Sequence, residues 1–277
     1  MWWNESMNLK SILKIIRKKN RDNTISESLF TNNKTKQAAE KYLSNVAIKY
    51  ISNKFCDMNF IEIKKTSIQF RIKHKHLQKN CLIKIYTGNQ SDQNENELNA
   101  FINKAKLLYR IQNPYVVPFF DFDYLTIKGI DKPFIILDYI EGHTLNSFIK
   151  NSFSPFKNNL FKYIIQTTDG LIAASSFNYR INIASENIMI DDNDNIKIVD
   201  LEILPSNEKV DLHQSIFQNF NNFYFSFIKE LSVHKNINNN YLQIITRYYK
   251  NLSDLLQSSK SIKDIYNELN IIYSKNM

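Results

Sequence analysis

Glycine is scarce in this chain: four residues in 277, at Gly88, Gly129, Gly142 and Gly170, where a globular protein usually carries roughly 7%. No two of them lie close together, which excludes a glycine-rich loop that lays successive backbone N–H groups over phosphates. Cysteine is scarcer still. Cys56 and Cys81 cannot build a disulfide framework, so a reducing, cytoplasmic setting is the expectation. The five histidines form no cluster with metal-ligand spacing; His74 and His76 would share one strand face, but two ligands without a third read as a structural or solvent-facing pair. Long hydrophobic runs are also missing. PFIILDYI at 133–140 has the length of a strand and falls far short of the roughly 20 residues that span a bilayer. The N-terminal stretch MWWNESMNLKSILKIIRKKN places its charges after its apolar residues and has no small-residue cleavage site, unlike a conventional signal peptide.

What is present suits a folded body: 43% of residues are apolar and 13% aromatic, enough for one large domain or two small ones. Asparagine accounts for about one residue in seven, a bias that accompanies abundant Ile and Lys and reads as codon usage. Charge is unevenly spread. Residues 1–80 hold 17 of the 36 Lys+Arg and only 6 of the 27 Asp+Glu, so the whole positive excess of the chain lies in its first third.

Hydrophobic periodicity then divides the chain. Leu9, Ile12, Leu13, Ile15 and Ile16 fall largely on one stripe of a basic amphipathic helix over 8–19, behind Trp2 and Trp3. Residues 20–35 are polar and linker-like, and 37–51 read as a second helix. From Phe60 the period changes. Segments 59–64, 67–74 and 81–86 predict three antiparallel strands; a helix over about 95–112 follows, then strands at 115–125 and 133–139. Helices are expected over 144–151, 157–177 and 209–232, with two more within 240–273. A short strand pair, 187–191 and 195–199, interrupts them near their start.

At this point the chain resembles a eukaryotic-type protein kinase. The stretch NYRINIASENIMIDDNDNIKIVDLEI at 178–203 is similar in order and spacing to the kinase catalytic loop, hairpin and metal-binding motif. Asn187 falls on the conserved asparagine of that loop and Asp200 on the aspartate of D-F-G. CLIKIY fits the strand that carries the nucleotide lysine, here Lys84, and FIILDYIEGHTLNSFI resembles the strand, hinge and helix that join the two lobes. RIQNPYVV and KSIKDIYNELNII match the turn into the fourth strand and the last helix. The resemblance implies an α+β, bilobal protein kinase-like fold: a five-stranded antiparallel N-lobe with one helix over 56–140, a mostly helical C-lobe over 141–277, and a basic helical extension over 1–55. It also implies ATP and Mg2+ as cofactors, with Lys84, Asp138, Ile140 and Met189 around the nucleotide and Asn187 and Asp200 on the metal.

The departures from the family are as informative as the match. Five residues before Asn187, where the family has its catalytic aspartate, stands Asn182, whose neutral amide cannot serve as a general base near neutral pH. Ala184 replaces a lysine that contacts the transferred phosphate. No glycine occurs before residue 88, so the loop near Lys64–Ser67 cannot cover phosphates as the family's loop does. The helix glutamate that should pair with Lys84 falls on Lys104, leaving Asp200 or Glu97 as possible partners of Lys84. Leu82 stands where a small residue roofs the adenine. Asp200-Leu201-Glu202 lacks the D-F-G glycine, and Asp211 resembles the acid that opens the central helix of the lower lobe, which makes the intervening segment short. Leu108, Phe119 and Leu201 keep the apolar column of the fold.

Three functions are compatible with this pattern. The first is a pseudokinase, with impaired or absent phosphotransfer, that acts through a protein partner or a bound nucleotide. The second is an active but divergent phosphotransferase or nucleotidyl transferase on a small molecule, lipid or sugar, with Asp200, Glu186 or Glu202 supplying the base. The third is a scaffold whose basic first third meets an anionic membrane surface, nucleic acid being the less favoured anion; an ordinary solvated face explains the same charge.

Overall fold

The computed structural model describes residues 53–64, 66–88, 92–127, 130–147, 153–177, 181–203 and 216–224, with isolated positions from 214 to 271. The helices expected over 8–19 and 37–51 lie outside the described residues, as does Asp211. The chain divides into two compact units, the first comprising residues up to Leu98 with Phe120–Tyr139, the second Asn99–Phe119 with everything from Ile140.

In the first unit, β1 (Phe55–Ile63), β2 (Ser67–His74), β3 (Asn80–Tyr86), β4 (Phe119–Ile127) and β5 (Ile130–Asp138) form one sheet in the order β1-β2-β3-β5-β4. Alternation in β2 and β3 puts Ile68, Phe70 and Ile72 on the same face as Cys81, Ile83 and Ile85, all at most 2% exposed, where they pack with Phe55, Leu125, Phe134 and Ile136 into one core. Burying such a side chain contributes about 1.5–3 kcal/mol. The opposite face carries Gln69 opposite Lys84, and Arg71 opposite Leu82. β1 begins four residues earlier than its alternation suggests. Its pairing with β2 is interrupted between Cys56 and Asn59, where Asp57 adopts a left-handed φ of 52°, and a bulge of this kind breaks the two-residue period on which the sequence reading depends.

A helix, α1 (Asp92–Arg110), follows β3. Its second half belongs to the other unit, where Phe101, Ala105, Leu107 and Leu108 are buried at helical spacing. Residues 115–117, expected to open the fourth strand, instead bond to the hairpin of that unit: Val117 N–H donates to the Ile198 carbonyl (2.9 Å) and Ile198 N–H to the Tyr115 carbonyl (2.8 Å). That diversion delays β4 until Phe119.

The second unit is built around α2 (Phe153–Ser175), the three-stranded sheet β6 (Gly142–Thr144), β8 (Ile188–Asp191) and β9 (Ile196–Ile198), and the two-stranded pair β7 (Ile181–Asn182) with β10 (Glu202–Ile203). The short strands β6 and β10 carry no periodicity of their own. Gly142 has φ of +142°, and a Cβ there would meet the Ile190 carbonyl at 2.0 Å, so β6 can lie against β8 only with glycine at this point. The β8–β9 turn is closed by Asp191, whose Oδ1 accepts the amides of Asn193 (3.0 Å) and Asn195 (2.9 Å). Gln166 of α2 clamps the same turn, donating to Asn195 Oδ1 (2.9 Å) and accepting from Ile196 N–H (2.9 Å). Tyr163 donates to Asp194, and burial followed by that carboxylate pushes its phenol well above the ordinary range. Among the described residues no helix is long and apolar enough to cross a membrane.

Candidate active site

The residues expected to hold a nucleotide and its metal fall in both units. In the first, Lys84 sits in the middle of β3, opposite Gln69 on β2 and Ile135 on β5, and is 4% exposed. Glu97 on α1 lies near enough to β3 for its charge, second to burial, to raise the phenol of Tyr86. Leu82 has Arg71 and Leu137 as its register partners. The Arg71 guanidinium lies 4.7 Å from the centre of the Tyr139 ring, within cation–π range. The position that should roof an adenine therefore carries a leucine beside an arginine already stacked on the residue after β5. Asp138, at the end of β5, takes an ion pair from Lys79 at 2.7 Å. Ile140 follows in the second unit and is partly buried.

In the second unit β7 and β10 hold the loop that resembles the catalytic loop. Asn182 pairs with Glu202 across these two strands. The loop is anchored from below, because Ile181 N–H donates to Asn219 Oδ1 (2.9 Å) while Asn219 Nδ2 donates to Ser175 Oγ (2.8 Å), and Asn219 is 3% exposed. Sequence reading passed over Asn219; its signal was slight, one asparagine among many. A 3-10 turn at Ser185–Asn187 follows, and the Asn187 carbonyl accepts Val199 N–H at 2.9 Å, which holds Asn187 beside the residue before Asp200. Met189 lies partly buried on β8, between Thr144 and Lys197. Glu186 and Glu202, the alternative bases, are both exposed.

Asp200 itself is engaged. Lys104 on α1 reaches it with Nζ 2.9 Å from Oδ1, and the two side chains are only 22% and 12% exposed. Asp200, which the sequence offers with Glu97 as a possible partner for Lys84, is in contact with Lys104, the residue at the position where the family has a glutamate. Charge reversal at that one position, read together with the nearest acid in the motif, was the available signal.

A protein-family model described as protein tyrosine and serine/threonine kinase matches residues 49–216. The chain belongs to this kinase family. Among solved structures, the kinase domain of PknI from Mycobacterium tuberculosis superposes with a TM-score of 0.52 at 10% identity, covering 78% of this chain and 96% of that one, a likeness of fold alone. No curated protein matches the chain. Kinase-family members hold Mg2+ on the aspartate and asparagine that correspond to Asp200 and Asn187. Magnesium is bound through one or two carboxylates together with substrate phosphates, and here Oδ1 of Asp200 has the Lys104 ammonium in contact. The kinase fold is thus retained, with a lysine ammonium against the carboxylate at the position of the family's metal-binding aspartate.

Proposed function

We propose that this chain is a pseudokinase, a kinase-family domain that does not carry out Mg2+-dependent phosphoryl transfer and acts by binding a protein partner. The observation that carries the reading is the 2.9 Å contact between Lys104 and Asp200. In the family the aspartate at this place binds the ion that neutralises the β- and γ-phosphates. An ammonium in that place brings one positive charge where the chemistry needs two, and it has no open coordination site for a phosphate oxygen. Three further features support the reading. Asn182 has no basic lone pair for an acceptor proton. The turn between β1 and β2 has no glycine, and Leu82 with the stacked Arg71 narrows the roof of the adenine position.

The test is transfer of labelled γ-phosphate to protein and small-molecule acceptors by the wild-type chain and by Asn182→Asp. A general base contributes about 10²–10⁴-fold, yet the single substitution leaves Lys104 on the metal ligand, so neither protein should transfer phosphate. Transfer by the wild type that disappears in Asp200→Ala would establish the divergent phosphotransferase instead. Robust transfer by Asn182→Asp alone would show that Lys104 is no obstacle.

A further inference from the structure

The β2–β3 turn, residues 74–79, reads His-Lys-His-Leu-Gln-Lys, and Leu77 stands at its tip with 60% of its surface exposed. This turn is firmly built. His74 N–H donates to the Lys79 carbonyl (2.8 Å), Leu77 N–H donates to His74 Nδ1 (3.1 Å), and Gln78 takes a left-handed φ of 52° while its amide donates to the Lys75 carbonyl. His74 is in turn wedged between the rings of Phe55 (5.1 Å) and Phe120 (5.7 Å), which keys the turn to the core of the sheet. Its backbone amides at His74 and Leu77 are therefore used internally, and its one aliphatic side chain points outward.

A lone exposed leucine is ordinary; the surroundings give this one a meaning. Lys75, His76 and Lys79 flank it and are exposed. Lys75 N–H donates to the Lys54 carbonyl (2.8 Å), bringing the exposed Lys54 to the same end of the sheet, and Lys73 is two residues back along β2. Lys79 pairs with Asp138 and remains 47% exposed.

We propose that this hairpin tip docks on an anionic lipid bilayer, Leu77 entering the headgroup layer while the lysines around it face lipid phosphates and carboxylates. Each lysine held at such a surface strengthens binding about fivefold. Leu77 separates this partner from nucleic acid, since a phosphate backbone rewards the lysines but gains nothing from an exposed aliphatic group.

Co-sedimentation of the full chain with phosphatidylcholine vesicles, with and without phosphatidylserine, tests the proposal, with RNA as a competitor. Leu77→Ser and the pair Lys54→Gln/Lys75→Gln alter exposed positions only, and unchanged thermal melts verify their folding. The wild type should bind the phosphatidylserine vesicles selectively; Leu77→Ser should weaken that binding about tenfold and the lysine pair about 25-fold. Absence of vesicle binding at low salt overturns the proposal, as does binding that both variants leave unchanged. Displacement by RNA together with indifference to Leu77→Ser would assign the charge to nucleic acid and overturn it equally.

Discussion

Lys104→Met isolates the ion pair on which the functional reading depends, because methionine keeps most of the aliphatic stem and removes the ammonium. Two unit charges 2.9 Å apart attract by about 6 kcal/mol at an effective dielectric constant of 20. Desolvation offsets most of this, and the side chains, 22% and 12% exposed, are partly screened by water. Loss of one partner from a fully buried pair costs about 3–5 kcal/mol; for this largely but not fully buried pair about 1–3 kcal/mol is expected. At roughly 2–4 °C per kcal/mol for a domain of this size, the melting temperature should fall by about 2–12 °C. The variant also removes the Lys104 ammonium from Asp200. Mn2+ with millimolar ATP should then restore stability to the variant, by about 2.7 kcal/mol once the ion reaches a hundred times its dissociation constant, and should leave the wild type unmoved. Differential scanning fluorimetry reads the stability and Mn2+ electron paramagnetic resonance the bound ion. A wild type that takes up Mn2+ as readily as the variant would refute metal exclusion by Lys104. An unchanged melting temperature in Lys104→Met would refute the strength assigned to the pair.

Two further substitutions probe the framework of the second unit. Asn219→Ala strips the buried Ile181 amide of its acceptor and Ser175 of its donor, so urea unfolding should show a loss of about 2–4 kcal/mol, whereas Asn219→Asp, which keeps the acceptor, should lose less. Tyr224 is fully buried, donates to the Ile164 carbonyl at 2.9 Å, and has its phenol pKa raised above 10 chiefly by burial. Its proton is held more tightly in the folded chain than in the unfolded one, so stability falls as pH rises above about 10. Tyr224→Phe should cost about 1 kcal/mol at neutral pH and flatten that alkaline decline, and parallel pH-stability curves for the two proteins would refute the assignment.

Much of the fold is legible in the sequence because the central strands are buried on a strict alternation, as Ile68, Phe70 and Ile72 illustrate, and because helix α1 spaces Phe101, Ala105 and Leu108 on one face. The hairpin at β8–β9 was equally plain, its Asx turn at Asp191 being local chemistry. What escaped was decided by contacts distant in sequence. The Tyr115–Val117 segment looks like strand and is strand-like, but its partner is Ile198, which no period can reveal. The start of β1 was hidden by the bulge near Asp57. In the site, substitutions of type were visible, such as Asn182 for a carboxylate, whereas their consequences were not. Lys104 was seen to be out of place, but 96 residues separate it from Asp200. Likewise the sequence shows Arg71 as one more surface cation, whereas its place over the Tyr139 ring depends on the fold.

The most direct test of the central claim is a thermal-shift titration of the purified chain with ATP, with and without Mg2+, alongside Asp200→Ala, since any ligand of the folded state must raise its apparent stability. The account predicts no Mg2+-dependent rise in melting temperature in either protein, because Lys104 already holds Asp200. A Mg2+-dependent rise in the wild type that vanishes in Asp200→Ala would contradict it, and would mean that the metal displaces Lys104 and the site still binds nucleotide as its family does.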